Sequence, residues 1–187
     1  MAECSRLVSR KREFAMKAQT DNTPWWMLSK EQPHRMFQMQ PVKQADYPGR
    51  SDLLVGYTVL PALWERFHSS ETVHSTDFSS CGEAFCYLKI DGINGLEGSV
   101  FQDKSQIEDT LDEALRHFKV GCVIGSGTGL RYSYVDFAVI DAPMACGIIR
   151  KVLCAGKILK RSWILFFDSD KAEQWMGIWE DTPAPPQ

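Results

Sequence analysis

The chain has no apolar stretch approaching the roughly 18 uninterrupted residues of a membrane-spanning helix, so no membrane segment is expected. Positive charge is not in excess either: 21 Lys and Arg stand against 24 Asp and Glu, a net charge of −3. That leaves no overall electrostatic footprint for a phosphate backbone, and nucleic acid is not the expected partner. Residues 1–20 carry five Lys/Arg against two Glu and lack the apolar centre of a secretory leader. Arg6, Arg10, Lys11 and Arg12 are spaced in the manner of a mitochondrial presequence, but Glu3 and Glu13 count against one. The six cysteines (Cys4, Cys81, Cys86, Cys122, Cys146 and Cys154) form no close-spaced pairs of the kind that fold round a metal. Reduced thiols in a cytoplasmic protein are the reading that follows.

Catalytic signatures are missing as well. There is no Gly-x-Ser-x-Gly elbow, no Gly-Lys-Ser/Thr, and no cysteine with an identifiable histidine partner. His68, His74, Cys81 and Cys86 could supply four metal ligands, but His-x5-His and Cys-x4-Cys match no zinc spacing. Asp168 and Asp170 read as the end of a strand and the cap of a turn, and His117 as solvent-facing on a helix. No pattern calls for a cofactor.

What is present is an ordinary core: 187 residues, 44% hydrophobic and 11% aromatic, enough to bury a domain interior without staples. The chain divides near residue 50. Residues 1–50 are rich in Gln, Lys, Met and Pro and read as a partly extended arm that packs through Trp25 and Trp26, with a short amphipathic helix over 7–17. Residues 51–181 read as one α+β domain, and the Pro-rich tail 182–187 as loose.

Within the domain, 53–60 is a β-branched and aromatic run, and Pro61 suits the first position of a short helix through Phe67. Residues 69–80 are mostly polar and predict a loop. Phe85–Ile90 alternates, placing Cys86, Leu88 and Ile90 on one face, and ends in the turn signals Asp91-Gly92 and Asn94-Gly95. Ser105 and Glu108 have capping-box spacing ahead of Ile107, Leu111, Leu115 and Phe118, which recur at helical spacing. A short strand over 120–124 precedes Gly125-Ser-Gly-Thr-Gly129, and 132–140 forms a second strand. Asp141 and Pro143 open a helix that turns Met144, Ile148, Val152 and Ala155 inward and stops at Gly156. Trp163–Phe167 is a fully apolar strand. Residues 171–176 and 177–180 predict a helical turn and a last extended piece.

The order βαββαβ over about 81–170 resembles the ferredoxin-like sandwich, an antiparallel sheet with helices on one face. An N-terminal arm and an extra strand–helix unit are added to it.

Two surfaces stand out. Gly125, Gly127 and Gly129 read as a glycine-rich hairpin loop, because a strand follows where a phosphate loop needs a helix. From it run Arg131, Tyr132, Tyr134 and Asp136, with alternation placing the two tyrosines and Asp136 on one sheet face. This is a candidate ligand, partner or RNA-stacking patch. At the other end, Trp175 and Trp179 lie among Glu173, Glu180 and Asp181, suited to anchoring a protein partner. The reading favours contact over catalysis: an immunity-type inhibitor of the bacterial kind, or a regulatory adaptor. A small-molecule-binding domain or enzyme at the Gly125–Gly129 hairpin is the alternative, and an RNA-binding module the third reading. Oligomeric state is not legible.

Overall fold

The structure is a computed structural model and describes residues 23–28, 32–69, 71–92, 96 and 98–187. The helix expected over 7–17 and the Asn94-Gly95 turn lie outside the described residues. Among the described residues, seven strands form one sheet: β1 (Arg35–Gln38), β2 (Leu53–Thr58), β3 (Ala84–Asp91), β4 (Gly121–Gly129), β5 (Tyr132–Val139), β6 (Ser162–Phe166) and β7 (Trp175–Gly177). Their spatial order is β1-β2-β4-β5-β3-β6-β7, and every neighbouring pair is antiparallel. The helices are α1 (Pro61–His68), α2 (Lys104–His117) and α3 (Ala142–Ala155). The protein is therefore α+β, with a strand order that is not that of a simple ferredoxin fold.

Period-2 alternation gives this sheet two cores. Cys86, Leu88 and Ile90 of β3, with Val135, Phe137 and Val139 of β5, pack against Ile107, Leu111 and Leu115 of α2 and Ala145, Cys146, Ile149 and Leu153 of α3. The other face carries Phe85, Tyr87, Tyr132, Tyr134, Trp163 and Leu165. It is covered by Trp25, Tyr47, Leu53, Leu60, and Leu63 and Trp64 of α1. Helices thus lie on both faces rather than one, and β5 is buried along its whole length.

Several local expectations shift by a residue or two. The N-cap of α2 is Asp103, whose carboxylate accepts from the Gln106 amide, not Ser105. Phe118 falls beyond the last turn and is 52% exposed. Asp141 does cap α3, accepting from the Met144 amide. The buried stripe of that helix, however, is Ala145, Cys146, Ile149 and Leu153, with Met144 exposed. Small Ala and Cys side chains let α3 approach the sheet closely, which a pattern of large residues does not reveal. Gly156 is not in the left-handed region (φ −75°); Lys157 is, at φ 56°. Gly156 is required instead because a Cβ there would collide with the Phe101 ring.

The polar 69–80 stretch contains a 3-10 turn, Ser75–Asp77. It is fastened by Asp168, which accepts from the Ser75 hydroxyl at 2.7 Å and from the Ser75 amide. The tail is anchored at its start: Thr182 is buried, and the Trp163 indole N–H donates to the Pro183 carbonyl at 2.6 Å.

Candidate functional site

The sheet face opposite α2 and α3 carries more polar groups than a core normally tolerates. Strand β5 contributes Tyr132, Tyr134 and Asp136, and its antiparallel neighbour β3 contributes Tyr87 and Lys89. Segment 45–52, which leads into β2, lies over them. Tyr132, Tyr134, Asp136, Lys89 and Asp52 are each at most 1% exposed.

Asp52 fastens the segment to the β4–β5 hairpin. Its carboxylate accepts from the backbone amides of Arg131 (2.8 Å) and Tyr132 (2.9 Å) and from the Tyr134 hydroxyl. Arg50 reaches Asp136, with Nη1 2.6 Å from Oδ1, and its guanidinium stands 5.0 Å from the Tyr134 ring, 5.3 Å from Tyr87 and 5.7 Å from Phe167. Among the described residues Arg50 Nε and Nη2 have no hydrogen-bond partner. The surrounding ring faces offer them partial electrostatic compensation. Burial outweighs the attraction of Arg50 and holds the Asp136 carboxyl above its ordinary range.

Lys89 donates to the Tyr47 carbonyl, and its ammonium sits 4.0 Å from the Tyr132 ring. Burial lowers it to about 8 against the pull of Asp52 and Asp46. Two arginines and two aspartates close the rim. Arg131 Nε and Arg161 Nε donate to Asp91 at 2.9 and 2.7 Å, Arg161 Nη2 donates to Asp46 at 2.8 Å, and the Tyr132 hydroxyl donates to Asp46. Burial first, and the Asp52 carboxylate second, raise the Tyr134 phenol.

The sheet thus places Tyr132, Tyr134 and Asp136 on one face as the alternation predicted, but beneath a cover and already bonded. Arg131, which alternation set towards the other face, lies in the turn, bonded to Asp91 and 5.3 Å from the Tyr132 ring. Gly125, Gly127 and Gly129 are not a loop. All three lie inside β4, and the turn is reduced to Leu130-Arg131. Their role is close approach: a Cβ at Gly129 would overlap the Asp52 carboxylate, and one at Gly127 the Leu53 side chain. Arg50, Asp52 and Lys89, central to the cluster, were not singled out from sequence. The available signal was a lysine inside the apolar run Phe85–Ile90 and an aspartate immediately before the apolar run at 53.

Trp175 and Trp179 lie elsewhere, at the β7 edge. Trp175 is 40% exposed, whereas Trp179 is half-buried, its indole N–H donating to the Ile158 carbonyl at 2.8 Å. A cleft of about 130 Å³ separates the Trp25–Met27 turn from β4 and α2, lined in part by Tyr57, Glu108, Asp109, Asp112 and Arg116. Two of its acids are engaged: Asp112 with Arg116 at 2.8 Å, and Glu108 with the Tyr57 hydroxyl at 2.8 Å.

Cys86 is buried and Cys81 exposed. Among the described residues no group of three or more His, Cys, Asp or Glu is placed to hold a metal ion, and no helix is long and apolar enough to cross a membrane. Comparison with protein-family models, curated proteins and solved structures finds no match for this chain.

Proposed function

We propose that this is a non-catalytic protein that works by contact with another protein, as an immunity-type inhibitor or a regulatory adaptor, through the β7 edge of its sheet. The observation that carries the reading is Trp175, 40% exposed on an edge strand. Ile178 N donates to Ser162 O, so by alternation the amides of Trp175 and Gly177 face away from β6 and are open to a further strand. Exposed Glu173 and Glu180 flank that strand in sequence and suit a basic partner surface, while Asp181 is paired with Lys160. The rival use of Gly125–Gly129 with Arg131, Tyr132, Tyr134 and Asp136 for a small molecule or RNA is less favoured, because segment 45–52 already bonds to those groups. Within this reading β4, β5, β3 and β6 with α2 and α3 make a ferredoxin-like unit in the cytoplasm, widened by β1, β2 and β7.

The test is a pull-down with the tagged full-length chain from its source cells, run with and without nuclease, beside Trp175→Ala and a control, Val42→Ser, at an exposed position outside β7. One stoichiometric protein retained by wild type and the control but lost with Trp175→Ala supports the reading. An identical set on all three baits overturns the surface, and nuclease-sensitive capture turns the reading towards RNA.

A further inference from the structure

We infer that His68, at the last turn of α1, is a pH-sensitive latch that holds this helix on the aromatic sheet face. The geometry is that of a histidine built to be neutral. Its imidazole lies 4.0 Å from the Trp64 ring and 5.4 Å from Phe67. Phe67 in turn meets Phe167 at 4.9 Å and Tyr87 at 6.1 Å. Among the described residues Nε2 is buried and has no hydrogen-bond partner. A neutral ring tolerates such a site; an imidazolium there would carry a second N–H with nothing to accept it.

The charged neighbours make protonation worse. Facing His68 from segment 45–52 is the Arg50 guanidinium, whose charge bears on the imidazole. From β5, the one carboxylate at Arg50 is Asp136, already bonded to Nη1. From β3 and the end of β6 come the rings Tyr87 and Phe167, which pack on Phe67. On α1 itself, Glu65 is paired outward with Arg35 and Arg66 with Asp77. Among the described residues Arg50 is the charged group that bears on the imidazole, and no carboxylate offsets it there. Burial first and Arg50 second lower His68 from 6.5 to about 4.

Released from the sheet, His68 takes up a proton near pH 6.5; seated, it does not until about pH 4. Between those values only the released form is protonated, so acidification favours release. At tenfold per pH unit, lowering the pH from 7 to 5 raises the released population about 20-fold. Release uncovers Trp64, Phe67 and the Tyr87–Phe167 patch beneath them, while β3, β4 and β5 stay paired.

Amide hydrogen exchange resolved by segment, corrected for intrinsic rates, tests this on the full chain at pH 7 and pH 5, with His68→Gln as the non-titrating variant. The expected result is a protection factor over residues 61–69 that falls about 20-fold in wild type, with β3 and β5 unchanged and His68→Gln flat. If His68→Gln does not fold, an NMR titration of the wild-type His68 imidazole decides: a midpoint below 5.5 supports the latch and one near 6.5 overturns it. Equal loss of protection in α1, β3 and β5, or an unchanged α1 in wild type, also overturns it.

Discussion

Asp136→Asn probes the Arg50–Asp136 pair while preserving its shape. The two side chains are 1% and 2% exposed and 2.6 Å apart. Removing one partner of a buried pair leaves an uncompensated charge and costs about 3–5 kcal/mol. Three rings within 5.7 Å of the guanidinium return part of that, so the expected cost is at the low end, about 3 kcal/mol. The pair itself contributes little net stability, because burial holds Asp136 above its ordinary range despite Arg50. Arg50→Met combined with Asp136→Leu removes both charges and refills the space. This double variant should unfold within about 1 kcal/mol of wild type. The assay is equilibrium urea unfolding at pH 7 followed by tryptophan fluorescence, with unchanged m-values required of every variant. A cost below about 1 kcal/mol for Asp136→Asn, or a double variant as unstable as the sum of the singles, would refute the reasoning.

The other predictions concern the same seam and its neighbours. Lys89 discharges near pH 8 when folded and near 10.5 when unfolded, so the unfolded chain binds more protons between those values and native stability rises with pH. Buried thiols and phenols raised by burial act in the opposite direction. The measurable quantity is therefore the urea-derived difference between wild type and Lys89→Met, which should move about 2 kcal/mol in favour of wild type from pH 7.5 to 9.5. No movement would show that Lys89 is solvated. Gly129→Ala forces a methyl into the Asp52 carboxylate and should cost about 1–3 kcal/mol in thermal unfolding. A loss under 0.5 kcal/mol, judged against the ordinary scatter of about that size for surface substitutions, would mean that segment 45–52 yields freely. Trp163→Ala removes a fully buried indole and should cost about 3–5 kcal/mol. Trp175→Ala, at an exposed edge, should change urea stability by less than about 1 kcal/mol, and a comparable loss from both would make the β7 tryptophan structural.

Much of the secondary structure was legible because it is written locally. Period-2 alternation placed Tyr132, Tyr134 and Asp136 on one face of β5, Pro61 opened α1, and Asp141 capped α3. Those signals depend only on φ/ψ preference and the direction of neighbouring side chains. What covers a face is not local. Alternation leaves the tyrosine face readable as half-buried packing, the favoured reading, or as an open contact surface; what covers it is Arg50 and Asp52, from a segment 80 or so residues earlier in the chain. The glycines at 125, 127 and 129 looked like a flexible loop because lack of a Cβ serves both loop freedom and close approach; only the Asp52 carboxylate and Leu53 beside them settle which. The inward stripe of α3 was misplaced because Ala145 and Cys146 carry little hydrophobic signal, and closeness of packing, not size, selected them. The sequence by itself determined the elements and their alternation. The tertiary structure decided which polar groups are consumed inside the fold, because a buried charge is tolerated only where a partner, often remote in sequence, is brought within bonding distance.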